Sequence, residues 1–345
     1  MNFTIKISKI IFIFISLIVL LCSNALYAKE NKMTSYKDQQ AWKDIQQYLP
    51  EKFQLNENNQ PGEEWWDWKG NNIHLDTYRN PQAKIKVILF HGVGTNGRQM
   101  SLILGHPLAE KGYETIAVDM PTYGLTQVNP KQTIKYDDWV QAGSDLIDAE
   151  LAKDDRPIVL YGLSAGGMLT YHVAARNRKV KAIVGMTFLD TASKQVKNAV
   201  STSPFMAQVG GFFAKIGSHT PFKNMNIPMK MVSKMDTLVN NPEALKVFLK
   251  DKTSAGNSVT VAFLNSYLNY KPQIQPEDFS TCPVLLTQPE HDRWTPLALS
   301  EPFLHRIKQV PVEITLLKNA GHYPLEQPGL DQMVDEIDQF YQKVL

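Results

Sequence analysis

Three side chains of this 345-residue sequence have the types and the order needed to make a hydroxyl nucleophilic. Ser164 stands in Gly162-Leu163-Ser164-Ala165-Gly166-Gly167. Before it, Pro157-Ile158-Val159-Leu160 has the length and β-branched content of a buried parallel strand. After it, Met168 to Ala175 carries no Pro or Gly and reads as a helix. A strand that becomes a helix through G-x-S-x-G is a nucleophile elbow, a turn so tight that the serine is strained and its Oγ projects above the sheet edge. Gly162 and Gly166 are needed because a Cβ at either place would collide with the neighbouring strand or helix. The free N–H groups of the helix N-terminus favour negative charge developing beside the serine.

A serine hydroxyl is a poor nucleophile until a base takes its proton, and the base needs a carboxylate to hold its tautomer. Both belong on loops after strand C-termini, in chain order Ser, acid, His. The strand Val284–Thr287 leads into Gln288-Pro289-Glu290-His291-Asp292, and the strand ending at Leu317 leads into Asn319-Ala320-Gly321-His322. Asp292 is the expected acid and His322 the expected base. Asp190 is a rival carboxylate from an earlier strand end, and Glu290 stands too close to its strand to reach an imidazole. His91, His172 and His291 read as structural, loop or helix-surface residues. An oxyanion needs donors as well. The glycines of Phe90-His91-Gly92-Val93-Gly94 let backbone N–H groups point inward, so the Val93 and Ala165 amides are the expected oxyanion hole.

The elements that must position these groups alternate. Strands are expected at Ile85–Phe90, Glu114–Val118, Pro157–Leu160, Val180–Met186, Val284–Thr287 and Val312–Leu317. Helices are expected at Arg98–Lys111 (irregular around Pro107), Tyr136–Ala152, Met168–Ala175, Leu297–Ile307 and Leu330–Val344. Repeated βα units demand an α/β fold with a mostly parallel sheet covered on both faces. The core then spans 64–190 and 276–345, and residues 191–275 form a helical cap inserted before the acid-bearing strand. Ahead of the core, residues 29–63 form a polar extension with one short amphipathic helix through Trp42, Ile45 and Leu49. Two strands around Gly70-Asn71-Asn72 follow, with Trp65, Trp66 and Trp68 as hydrophobic cover on an antiparallel edge rather than a sugar-binding cluster.

At the N-terminus, Lys6 and Lys9 precede the apolar run Ile10–Leu21 and the small or polar residues Ser23-Asn24-Ala25. That is the pattern of a secretory signal peptide over residues 1–28, cut after Ala25 or Ala28, with an uncleaved membrane anchor as the lesser reading. Leu21 before Cys22 argues against a lipoprotein, because a small residue is required there. Without the signal, Cys282 is the remaining cysteine, a buried inert thiol unable to form an intramolecular disulfide. The 36 Lys and Arg against 34 Asp and Glu fall to parity once Lys6 and Lys9 go, so nucleic acid is not an expected partner. No metal-ligand spacing is visible, and no metal or cofactor is expected. The cap segment is the exception to neutrality, with ten Lys, no Arg and three acids (10 − 3 = +7). It reads as a solvated lysine face, or as a surface that attracts anionic substrates or a lipid surface.

Together, His91-Gly92-Val93-Gly94, Asp119-Met120-Pro121-Thr122-Tyr123-Gly124, the Ser164 elbow, the Asp292 loop and Gly321-His322 resemble the α/β-hydrolase superfamily, from about residue 64 onward. Within it, Val239-Asn240-Asn241-Pro242-Glu243-Ala244-Leu245 is similar to the cap of the monoacylglycerol lipase and serine aminopeptidase-like branch. The sequence departs from that branch at Leu163, where His is common, and at Ala165, where Met is frequent. The resemblance implies a serine hydrolase, and the Met- and Phe-rich cap (Phe205, Met206, Phe212, Phe213, Met225, Met229, Met231, Met235) suggests a small-molecule or lipid ester with an apolar acyl group. Those residues serve equally as the cap's own core. A peptidase of the same fold would need cap carboxylates for a substrate amine, and Asp236, Glu243 and Asp251 are the three on offer. A non-catalytic binding protein of this fold is disfavoured because every triad and oxyanion position is filled.

Overall fold

The computed structural model describes residues 35–200 and 221–345. Its strands are β1 (Gly62–Trp68), β2 (Asn71–Tyr78), β3 (Lys86–Phe90), β4 (Glu114–Val118), β5 (Ile158–Gly162), β6 (Ile183–Gly185), β7 (Asn226–Pro228), β8 (Ser258–Thr260), β9 (Val284–Pro289) and β10 (Val312–Leu317). Eight of them form one sheet in the order β1-β2-β4-β3-β5-β6-β9-β10. The β1–β2 and β2–β4 pairs are antiparallel, and every other pair in this sheet is parallel. The loops after the parallel strands therefore gather at one edge. Register sharpens this: Phe90 lies opposite Gly162, Gly162 opposite Gly185, and Leu317 opposite Pro289. Strand order reverses at β3, flanked by β4 and β5, so the loops after β3 and β5 border the crevice where open α/β sheets bind ligands.

The helices are α1 (Gln40–Ile45), α2 (Gly97–Met100), α3 (His106–Glu110), α4 (Tyr136–Leu151), α5 (Ala165–Asn177), α6 (Lys194–Val200), α7 (Met229–Val232), α8 (Pro242–Lys250), α9 (Val261–Leu268), α10 (Glu301–Leu304) and α11 (Gly329–Val344). Helix α11 buries Leu330, Met333, Val334, Ile337, Phe340 and Tyr341, the i, i+3, i+4, i+7 stripe of a helix lying on a sheet. Helix α5 is buried from Ala165 to Ala175, which is why its sequence is apolar on all sides.

Three expectations need correction. Arg98–Lys111 is not one helix but α2, a wider π-type turn at Ser101–Gly105, and α3. Pro107 has no N–H to give a regular i to i−4 ladder. Likewise Leu297–Ile307 resolves into a 3-10 turn at Leu297–Leu299 and the short α10, with Pro302 in its first turn. The segment between β6 and β9 is not wholly helical. It holds α6, a 3-10 turn at Pro221–Asn224, α7, α8 and α9, but β7 and β8 pair as an antiparallel ribbon. Pro228 occupies a ribbon end, where a missing donor is tolerated, and β-branched Val259 and Thr260 favour extended backbone. The proposed signal segment 1–28 and the residues Phe205, Met206, Phe212 and Phe213 lie outside the described residues. Among those described, no helix is long and apolar enough to cross a membrane.

The polar extension ahead of β1 is docked through the expected Trp42, Ile45 and Leu49 and through further residues on either side of them. Tyr36, Trp42, Ile45, Leu49, Phe53 and Leu55 are all buried. Trp42 and Tyr36 sandwich the fully buried Arg98 guanidinium, 4.7 and 4.9 Å from their ring centres. Arg98 forks onto Asp76, and the Tyr36 hydroxyl donates to both oxygens of Asp119 at 3.0 and 2.9 Å. His74 lies between Asp119 (Nδ1, 2.9 Å) and Glu63 (Nε2, 3.0 Å), with the half-exposed Trp65 ring edge-on against it at 5.1 Å. No cluster of three ligand-type side chains was expected from sequence spacing. The pairing of β1 with β2 makes one, because Glu63, His74 and Asp76 bring ligand atoms within 4.8 Å of one another. Their charges are already matched by Arg98 and by one another, so the cluster reads as an ion network.

Burial opposes a charge on His74, but hydrogen bonds to Asp119 and Glu63 outweigh it and raise its pKa from 6.5 to about 10. The stability contributed by that cation is complete below about pH 6.5 and is lost as pH rises through about 10. His74→Leu leaves two carboxylates without their buried partner, a change that costs ~3–5 kcal/mol. Urea unfolding at pH 6.5 and pH 10 should show the wild type losing stability with alkali and the variant, weaker throughout, losing much less. Equal alkaline losses in both proteins would contradict this assignment.

Candidate active site

The elbow is built by backbone packed on backbone. A Cβ on Gly162 would lie 1.9 Å from the Gly166 carbonyl oxygen, and one on Gly166 2.4 Å from the Phe90 carbonyl oxygen. With side chains absent there, the first turn of α5 rests directly on β5 and β3. Ser164 is forced to φ 55°, ψ −123°, a conformation that L-residues rarely adopt. Its carbonyl accepts from Gly167 N–H at 2.8 Å and from the Thr187 hydroxyl at 3.0 Å, which fixes the strained residue from two sides. The side chain is 6% exposed, at the carboxyl edge of the sheet.

Asp292 and His322, from the loops after β9 and β10, meet there. His322 Nδ1 is 2.8 Å from Asp292 Oδ2. Asp292 is saturated: Oδ1 accepts from the Trp294 and Thr295 amides at 2.8 and 2.7 Å, and Oδ2 accepts from the Thr295 hydroxyl at 2.7 Å. Burial pushes its carboxyl upward, but the charge of a protonated His322 and the hydrogen bonds from His322 and Thr295 outweigh it and hold the pKa at about 2. The carboxylate thus stays ionised and keeps the imidazole proton on Nδ1. On the opposite side of the ring, Nε2 is buried and has no hydrogen-bond partner among the described residues. Ser164 Oγ lies outside hydrogen-bond geometry with it, so the Asp292–His322 contact is closed and the His322–Ser164 contact is open. Such contacts commonly tighten only around a bound substrate. The indole of Trp294 packs on the imidazole at 4.8 Å between ring centres, limiting its tilt.

The Val93 and Ala165 amides donate to no protein group among the described residues, although Ala165 is buried and Val93 half-buried. Ala165 is the first residue of α5, where the helix leaves its amides free. Val93 is oriented by a residue assigned above only to structure. His91 is fully buried, and its Nε2 accepts from Met120 N–H at 3.0 Å. The proton must then sit on Nδ1, which donates at 2.7 Å to the Gly92 carbonyl, part of the same peptide plane as the Val93 N–H. Burial lowers the His91 pKa, which keeps this tautomer neutral.

The rival groups are elsewhere. Asp190 faces Arg306 at 3.7 Å and caps the Ala192 amide, and Glu290 accepts from Asn319 N–H at 3.0 Å. His172 is buried against Tyr136, and burial pushes its pKa down to about 3. Cys282 is buried, which lifts its thiol to about 12 and leaves it unreactive. Thr295 is the group that sequence reasoning missed. A threonine placed three residues after an aspartate in a loop is the signal that would have found it. The arrangement holds a serine, a tautomer-locked histidine, a buried carboxylate and two free amides, the parts that acyl transfer requires.

Thr295→Val removes the hydroxyl donor from Asp292 Oδ2 at nearly constant volume. Losing one hydrogen bond to a buried charge costs ~1.5–3 kcal/mol. Because the folded pKa of Asp292 lies below its ordinary 3.8, this difference should be full above about pH 4 and close as pH falls through about 2. Urea unfolding between pH 7 and pH 2.5 measures it; a gap unchanged at the acid end would be incompatible with an ionised, Thr295-bound Asp292.

With this geometry in view, the chain compares with known proteins as follows. A family model described as serine aminopeptidase, S33, matches residues 81–329. No curated protein sequence matches the chain. Among solved structures, a soluble variant of monoglyceride lipase from Saccharomyces cerevisiae, in complex with a substrate analogue, superposes with a TM-score of 0.68 at 15% identity, over 86% of this chain and 97% of that one. The monoacylglycerol lipase of Paleococcus ferrophilus gives 0.58 at 19% identity, over 78% and 97%. Mouse alpha/beta hydrolase domain-containing protein 10 gives 0.58 at 17% identity, over 82% and 100%. At these identities the likenesses establish the fold, and the family match spans both sides of the insert between β6 and β9. The chain belongs to the serine aminopeptidase (S33) family of α/β-hydrolases.

Proposed function

We propose that the chain is a secreted or periplasmic serine hydrolase that cleaves carboxylic esters with apolar acyl groups through an acyl-enzyme. The observation that carries this reading is His322, held by Asp292 on Nδ1 and unpartnered on Nε2, at the same sheet edge as the strained Ser164. In this mechanism Nε2 takes the Ser164 proton as Oγ bonds to the ester carbonyl carbon. The oxyanion accepts from the Val93 and Ala165 amides, and one such donor is worth ~2.7–4 kcal/mol of barrier. The C–O bond to the alcohol then breaks, and Nε2 returns the proton to that oxygen. Water, deprotonated by the same nitrogen, releases the acid.

The apolar preference is supported by the insert's approach to the oxyanion loop. A Cβ on Gly94 would lie 3.1 Å from Met235 Sδ and 3.2 Å from a Leu238 methyl, so thioether and leucine face the reacting carbon's surroundings. The two lipase-named neighbours agree with that preference. Met229, by contrast, is buried in the insert, in keeping with the second role foreseen for the Met/Phe stretch, interior packing. A peptidase reading is weakened by the insert's carboxylates: Asp251 is buried among Gln39, Gln99, Thr253 and Ser254, and Glu243 pairs with Lys246 at 2.7 Å. The exposed Lys223 and Lys230, beside Phe222 and Met231 at 66% and 43% exposure, support transient contact of the insert with an anionic lipid surface. Export rests on the 1–28 segment; left uncut, it would anchor the enzyme to the membrane.

A fluorophosphonate probe should label the purified protein and not Ser164→Ala, and p-nitrophenyl esters of medium and long acids should turn over faster than the acetate. Aminoacyl p-nitroanilides should turn over far more slowly than either. A labelled Ser164→Ala, or an unlabelled wild type, would remove Ser164 from the reaction.

A further inference from the structure

Val93 stands between two glycines, so its own φ and ψ are held by little except hydrogen bonds to the peptide planes on either side. His91 holds the plane before it, through the Gly92 carbonyl. The plane after it is held by a residue from a different loop: the Tyr123 hydroxyl donates to the Val93 carbonyl at 2.8 Å, and it is that carbonyl's partner among the described residues. We propose that Tyr123 is a positioning residue of the oxyanion hole, aiming the Val93 amide by clamping the peptide plane beyond it. This inference rests on the serine hydrolase reading of the site and deepens it.

The Tyr123 side chain is built to stay in place. It is 1% exposed, and its ring meets those of His91 and Trp139 at 5.1 and 5.6 Å between centres. Trp139 is itself fixed by an indole N–H donated to the Pro121 carbonyl at 3.0 Å. Burial pushes the phenol well above its ordinary pKa, so the hydroxyl remains a donor throughout the working pH range. The loop beneath it is bracketed by the insert: Asn257 Nδ2 donates to the Thr122 carbonyl at 2.9 Å, and Gly124 N–H donates to the Thr253 carbonyl at 3.0 Å. Gly124 has φ +54°, and a Cβ there would overlap Asp119, so the turn that presents Tyr123 admits only glycine at this point. Two pinned planes in succession determine where the Val93 N–H points; with one released, a glycine-flanked residue rotates freely enough to misdirect its donor.

Tyr123→Phe keeps the ring and removes the clamp. Complete loss of an oxyanion donor costs about 10²–10³ in kcat, and a misdirected donor should cost about tenfold. The expected result is kcat on a p-nitrophenyl ester lowered about tenfold with KM nearly unchanged, and binding of a trifluoromethyl ketone, which forms a tetrahedral adduct, weakened by the same factor. Tyr136→Phe is the control, since Tyr136 is an equally buried tyrosine whose hydroxyl meets His172 rather than the oxyanion loop. It should lose thermal stability and retain kcat. Unchanged kcat and ketone affinity in Tyr123→Phe would overturn the proposal, as would equal losses of kcat in both variants. Ester turnover surviving in Ser164→Ala would overturn the serine reading and this inference with it, a result distinct from a silent Tyr123→Phe.

Discussion

The close seating of helix α5 on strands β5 and β3 is the constraint from which the site takes its shape. Where the Gly166 carbonyl meets Gly162 and Gly166 meets the Phe90 carbonyl, there is no room for a side chain, so the helix axis, the serine's left-handed backbone and the height of its hydroxyl are set together. The same contact fixes the loop bearing Val93, because Phe90 is both the residue α5 presses upon and the last residue before His91. One helix N-terminus thereby locates Ser164 together with the Ala165 and Val93 amides, and Asp292 and His322 need only arrive on neighbouring parallel strands.

A second framework is built on two buried carboxylates, Asp119 and Asp251. Asp119 accepts from Tyr36, Gly97 and Leu125 and pairs with His74, while Asp251 gathers Gln39, Gln99, Thr253 and Ser254. Three parts of the chain thus meet through buried polar clusters: the segment before β1, the core and the insert. Buried charges of this kind contribute little net stability compared with apolar packing, yet they are costly to mismatch, which makes them better at specifying one arrangement than at deepening it. Asn96 joins the Asp251 cluster through Thr253, so the start of α2, a few residues past Val93, is tied to the insert as firmly as to the sheet.

Much of this was readable from residue order. Apolar runs gave β3, β4, β5 and β9 nearly to the residue, because strands buried on both faces carry a near-continuous apolar signal, and the half-exposed edge strand β10 showed as an alternating run. The loops bearing Ser164, Asp292 and His322 followed from the same pattern. What stayed hidden depends on partners remote in sequence. Thr295 looks like any loop threonine until Asp292 and His322 converge on it, and His91 gives no hint of its tautomer until Met120 N–H approaches its Nε2. Tyr36 and Gln39 lie just ahead of the expected amphipathic helix and outside its apolar stripe, and only the folded chain shows that their polar atoms are consumed inside. Irregularity at Pro107 was expected, but the full break of Gly97–Glu110 and that of Leu297–Leu304 were not, because a proline's effect on the neighbouring turns depends on what else packs there.

The docking of Gln39 carries a consequence for the order in which the protein is made. Its amide bonds to Asp251, 212 positions further along, and to Thr253, so the earliest-synthesised part of the described chain is not fully docked until most of the polypeptide has left the ribosome. Tyr36 and Trp42 find Asp119 and Arg98 within the first third of the sequence, but the docking of this leading segment is complete only when the later sequence has supplied Asp251 and Thr253.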